Sequence, residues 1–147
     1  MAARPPSGAN VGVERGCWGE DVAAEFLRLR GYEIVERNSH PCPRDRRLEV
    51  DIIAYDPRLD AMRFVEVKQH AAHSPRERRL RSVDARKKAL LRRACRVWLA
   101  RNRWSGGYGF DVVEVYGEPG ARRRVEIDYI ERVDLFPERG RFVNWAD

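Results

Sequence analysis

The amino-acid sequence predicts an α/β fold, with a central mixed sheet of about five strands flanked by helices. Three observations predict it. Apolar residues recur with a helical period over residues 16–30 and again over about 82–103. Alternating apolar and polar residues mark three strands between those helices, and two more follow the second helix. The order helix, three strands, helix, two strands surrounds a strand-built centre with helices.

Each element has its own signal. In the first helix Glu20, Ala23, Ala24 and Leu27 fall at i, i+3, i+4 and i+7, and Gly31 is a natural C-cap. "YEIVER" alternates as a strand, "NSHPCPRDRR" is a loop, and "EVDIIAY" is a second strand. "DPRLD" turns the chain into a third strand, "AMRFVEVKQ". A polar basic loop, "HAAHSPRERRLR", leads to the long helix. Ser82 suits its N-cap, and Val83, Lys87, Leu90, Leu91, Ala94 and Trp98 share one side. "SGG" breaks the helix, and "YGFDVVEVY" and "RVEIDYIE" complete the sheet around a "GEPGARR" turn. Residues 1–12 read as a disordered tail, 13–133 as one domain, and 134–147 as a C-terminal tail whose Phe136, Phe142 and Trp145 can cover an edge.

Composition narrows the function. With 147 residues, 43% hydrophobic and 35% charged, the chain suits one water-soluble domain. No apolar run approaches the roughly 18 residues that a membrane helix needs, and the start lacks the apolar core of a secretory signal. No membrane association and a cytoplasmic location are therefore expected. Cys17, Cys42 and Cys95 have neither zinc spacing nor a disulfide framework. The net charge of +6 favours a polyanionic partner, and the arginines cluster in the middle of the chain and at "ARRRVE". Only three of the 29 basic residues are lysines, Lys68, Lys87 and Lys88, which singles them out for chemistry a compact ammonium can do.

The chemistry centres on "RLEVDIIAYDPRLDAMRFVEVKQH". Strand periodicity puts Glu66 and Lys68 on one face and Val65 and Val67 on the other. A tight turn returns the third strand antiparallel to the second, which sets Asp51 across from Glu66. Two facing carboxylates call for a cation between them. Mg²⁺ or Mn²⁺ suits oxygen ligands from Asp51, Glu66 and the Val67 carbonyl. Lys68 would then assist a water or neutralise charge on a phosphate, which is the chemistry of phosphodiester hydrolysis. An isolated D…ExK is more often an ordinary ion pair. Glu20 and Lys87, each on the apolar side of its helix, weigh against that reading. Glu20 is either a boundary residue or a third acid at the site, and Lys87 either snorkels to water or meets phosphate.

The chain resembles the UPF0102 (YraN-like) family, which is similar to restriction-endonuclease-fold nucleases and Holliday-junction resolvases. The resemblance is carried by "GCWGEDVAAEFLRLRGYEIVERN", "LEVDIIA", "FVEVKQH", "DARKKALLRRA" and "GFDVVEV", in order over roughly residues 12–131. It implies a restriction-endonuclease-like fold and a catalytic group of Asp51, Glu66 and Lys68. Glu20 matches the helix-one glutamate at the metal site of similar resolvases, and Lys87 or Lys88 matches a later lysine, with periodicity favouring Lys87. Leu48 replaces a usual glycine, and His70 a common basic residue, which bears on substrate contacts more than on metal binding.

The expected activity is metal-dependent cleavage of DNA, on branched or damaged substrates, by a homodimer if two strands are cut. Arg76, Arg78, Arg79, Arg81, Lys88, Arg122, Arg123 and Arg124 would hold the nucleic acid. The alternative is a non-catalytic nucleic-acid-binding protein of the same fold. A protein scaffold using the tail aromatics is a third reading.

Overall fold

The computed structural model describes residues 18–71, 85–122, 124–131 and 133–136. The elements are α1 (Trp18–Leu29), β1 (Glu33–Ser39), β2 (Val50–Asp56), β3 (Ala61–His70), α2 (Ala85–Arg101), β4 (Gly107–Tyr116) and β5 (Glu126–Ile130). Tail residues 1–12, Ser82, Phe142 and Trp145 lie outside the described residues. Among those described, no helix is long and apolar enough to cross a membrane.

The sheet runs β1-β2-β3-β4-β5, antiparallel throughout except for the parallel β3–β4 pair. Parallel neighbours need a crossover, and α2 lies within it. One sheet face packs under α1. Ala23, Ala24 and Leu27 meet Ile52, Ala54, Val65, Val113 and Val115 there. The opposite face packs under α2. Leu91, Ala94, Cys95 and Trp98 cover Ile53, Met62, Phe64, Phe110 and Val112, with Trp98 edge-on to Phe64. Because helices cover both faces, β3 is buried from Ala61 through Glu66, the charged Arg63 and Glu66 included. Leu135 and Phe136, just beyond the expected domain limit, are buried in the α2-side core.

α1 ends as its sequence implies. Tyr32 N donates to Leu27 O and Gly31 N to Arg28 O, a pairing that requires the left-handed backbone Gly31 adopts at φ 90°. At its start, Gly19 lets β3 approach. Gly19 N donates to Gln69 Oε1 at 3.3 Å, and a Cβ at residue 19 would stand 2.8 Å from that oxygen. This contact fixes the first turn of α1, and so Glu20, against the end of β3.

Candidate functional site

Ile52 pairs with Val65, so the next step of the antiparallel register sets Asp51 across from Glu66. Asp51 Oδ2 accepts the Val67 amide at 2.8 Å. Burial, then the charge of Glu66, push the Asp51 carboxyl up to about 8, while the Val67 amide pulls it only part of the way back. Glu20 adds to the push. The Asp51 carboxyl therefore keeps its proton at neutral pH beside Glu66.

Glu66 is nearly buried, and one of its oxygens is contested. Lys87 Nζ stands 2.8 Å from Glu66 Oε1 and Lys68 Nζ stands 3.6 Å from the same atom. Burial and the neighbouring Lys87 lower the Lys68 pKa. Burial is the largest influence on Lys87 and works against its charge, but the bonds to Glu66 and Lys68 and the charges of Glu66 and Asp51 together outweigh it and raise its pKa. Of the two adjacent lysines, Lys87 is therefore the one that reaches the acids; Lys88 is half-buried on α2.

Glu20 is buried in the first turn of α1. Its Oε1 lies 3.5 Å from Arg37 Nε on β1, and Arg37 also bonds Asp21. Burial raises the Glu20 pKa, and Arg37 offsets only part of that. A cleft of about 200 Å³ opens over the acids, lined by Arg47, Glu49, Asp51, Glu66, Lys87, Leu90 and Leu91. Glu20, Val67 and Lys68 do not line it. Among the described residues, no three Asp, Glu, His or Cys side chains are gathered closely enough to hold a metal ion as they stand. The donor chemistry of Asp51 and Glu66 suits a hard cation, but Lys87 and Lys68 now occupy the Glu66 oxygen that such an ion would use.

Arg122 and Arg124 are exposed between β4 and β5. Arg76, Arg78, Arg79, Arg81 and Arg123 lie outside the described residues. Two groups near the site escape sequence reasoning. His70 stacks on Tyr116 with 4.9 Å between ring centroids, and its Nε2 lies 3.4 Å from Oε1 of buried Glu114. Glu114 is beside Lys68 in the parallel register. The second is Arg37, which faces Glu20. A glutamate inside the apolar "DVVEVY" run was the available signal for Glu114; nothing in the sequence pairs Arg37 with α1.

A five-stranded mixed sheet with helices on both faces, and acids facing each other from β2 and β3, define a protein of restriction-endonuclease-like architecture. The uncharacterised protein family UPF0102 matches residues 19–115, and the chain belongs to that family. Similar members include a UPF0102 protein of Syntrophomonas wolfei, 37% identical over 111 residues, covering 73% of this chain and 88% of that protein. One from Acetivibrio thermocellus is 41% identical over 108 residues, covering 70% and 75%. A third, from Nocardia farcinica, is 39% identical over 132 residues, covering 85% and 94%.

Proposed function

We propose that this protein binds nucleic acid, DNA in the first instance, with its acidic cleft turned to the phosphate backbone. The observation that carries this reading is the state of Glu66. Lys87 and Lys68 already neutralise it, and of the cleft's own lining Lys87 and Arg47 present positive charge to an anion. The excess of 29 basic over 23 acidic residues favours the same partner. Titrating a labelled duplex and a branched DNA in metal-free buffer tests it, and no salt-sensitive binding to either would sink it.

A second reading, metal-dependent phosphodiester hydrolysis, is favoured by Asp51 facing Glu66 beside Lys68. Asp51, Glu66 and the Val67 carbonyl, with Glu20 behind them, would hold Mg²⁺ or Mn²⁺, which would supply Lewis-acid stabilisation of a phosphate. Lys68 would hold a water or a phosphate oxygen, and its lowered pKa suits proton exchange. Cleaving both strands would call for a homodimer.

Calorimetric titration of Mn²⁺ into the wild type and an Asp51→Ala/Glu66→Ala variant separates the readings. Binding by the wild type alone supports hydrolysis, and no binding even with DNA present removes it. Lys87→Met is expected to tighten Mn²⁺ binding at least threefold, because Glu66 Oε1 then faces only the more distant Lys68. The same variant should weaken metal-free DNA binding. Unchanged Mn²⁺ affinity would show that Lys87 does not compete for the site.

A further inference from the structure

α2 carries seven basic residues and no acid along "ARKKALLRRACRVWLAR". Lys87 turns to Glu66, but the helix has a second basic side. Arg92, Arg93 and Arg96, with Ala89, Val97 and Ala100, line a shallow groove of about 410 Å³ on the side away from the sheet. Arg92 is partly committed, since its Nε donates to Leu135 O at 2.6 Å. Arg93 and Arg96 are exposed.

The loop between β1 and β2 continues this surface toward the cleft. It is tied to the end of α2 where Arg101 Nη1 donates to Pro41 O. Arg44, Arg46 and Arg47 are exposed on it, and Arg47 also lines the acidic cleft. Asp45 sits between the two basic groups. Hydrogen bonds from Arg47 hold its carboxyl down at about 2, and Arg93 lies near enough to contribute. Among the described residues of this path outside the cleft, Asp45 is set against Arg44, Arg46, Arg47, Arg93 and Arg96, so positive charge predominates from the cleft rim to the outer side of α2.

We infer that this strip, from Arg47 past Arg46 and Arg93 to Arg96, is the track on which a nucleic-acid backbone lies and is led to the cleft. The inference rests on the nucleic-acid reading above and specifies the surface that does the binding. Guanidinium groups match phosphate oxygens with paired donors. Helical rise sets Arg93 and Arg96 about 4.5 Å apart along α2, comparable with the roughly 3.4 Å of duplex axis per phosphate on one strand. The small side chains of Ala89 and Ala100 let a sugar–phosphate chain come close. A protein partner fits less well, because interface hot spots join arginine to tryptophan and tyrosine anchors, and this groove offers arginines with only alanines and a valine. Among the described residues the one exposed large hydrophobic is Leu29, on α1 at the opposite sheet face.

The test is the salt dependence of binding to a short fluorescein-labelled duplex DNA, read by anisotropy. Each lost phosphate contact lowers the slope of log K against log salt by about 0.9. Arg46→Gln/Arg93→Gln/Arg96→Gln should therefore reduce it by about 2 to 3. A charge-matched Arg28→Gln/Arg58→Gln/Arg103→Gln control should leave it unchanged. Thermal melts check that both fold; if the triple variant does not, Arg93→Gln and Arg96→Gln singly should each remove about 0.9. An unchanged slope in the strip variants, or equal losses in strip and control, overturns the strip while leaving nucleic-acid binding standing. Failure of the wild type to bind any DNA overturns both.

Discussion

Replacing Arg63 with methionine is expected to cost about 3–5 kcal/mol of folding stability, the loss typical when one partner of a buried ion pair is removed. Arg63 is on β3, facing α1, and is almost fully buried. Its Nε lies 3.4 Å from Asp111 Oδ2, and its Nη2 donates to Glu131 Oε1 at 2.9 Å and to the Tyr32 hydroxyl at 3.1 Å. The Tyr129 hydroxyl donates to Asp111 Oδ2 at 2.6 Å, and burial followed by the Asp111 charge drives the Tyr129 pKa far up. Arg63 is opposite Gly109 and Asp111 opposite Val65, so the pair meets diagonally across the parallel strands. Methionine fills comparable space but leaves the Asp111 carboxylate in an apolar layer without its guanidinium. A domain's whole stability is about 5–15 kcal/mol, so the denaturant midpoint should fall steeply. Arg63→Met/Asp111→Leu should recover most of the loss, since a buried pair is often replaceable by apolar residues. A single variant losing less than about 1 kcal/mol would show that the pair is not what holds β3 to β4.

This ion pair also shows where sequence reading stops. Apolar-rich runs bounded by turn residues located every strand to within about two residues, even where helices on both faces bury consecutive side chains, as in β3 and β4. Glycine punctuation located the end of α1 for the same kind of local reason. The meeting of Asp51 with Glu66 was legible too, since a short turn allows only one simple pairing of β2 with β3. Arg63 and Asp111 were visible as charges inside apolar runs, but their contact depends on a parallel register set across a long crossover. Arg37 beside Glu20 and Glu114 beside Lys68 depend on equally distant packing. Periodicity says which way a side chain points, and it is silent on what another element brings to meet it.

Asp51→Asn is expected to be more stable than the wild type near pH 8 and to lose that advantage near pH 4. The sign follows from the direction of the shift. The Asp51 carboxyl moves from 3.8 up to about 8 on folding, so between those values the native state holds a proton that the unfolded chain has released. Native stability therefore falls as pH rises through that window, at up to about 1.4 kcal/mol per pH unit. Asparagine abolishes this slope. Its carbonyl can still accept the Val67 amide while its NH₂ donates to Glu66, the two bonds a protonated Asp51 makes. Urea unfolding at about pH 5 and about pH 8 reads the difference, and parallel pH profiles for the two proteins would refute the proton on Asp51. The same proton reports on cation binding. An ion entering between Asp51 and Glu66 must displace it, so Mn²⁺ binding at neutral pH should release close to one proton. Calorimetry in buffers of different ionisation enthalpy measures that release directly. Binding heat that does not vary with buffer would place the ion away from Asp51, leaving the facing acids and Lys87 as a neutralised floor beneath the phosphate backbone.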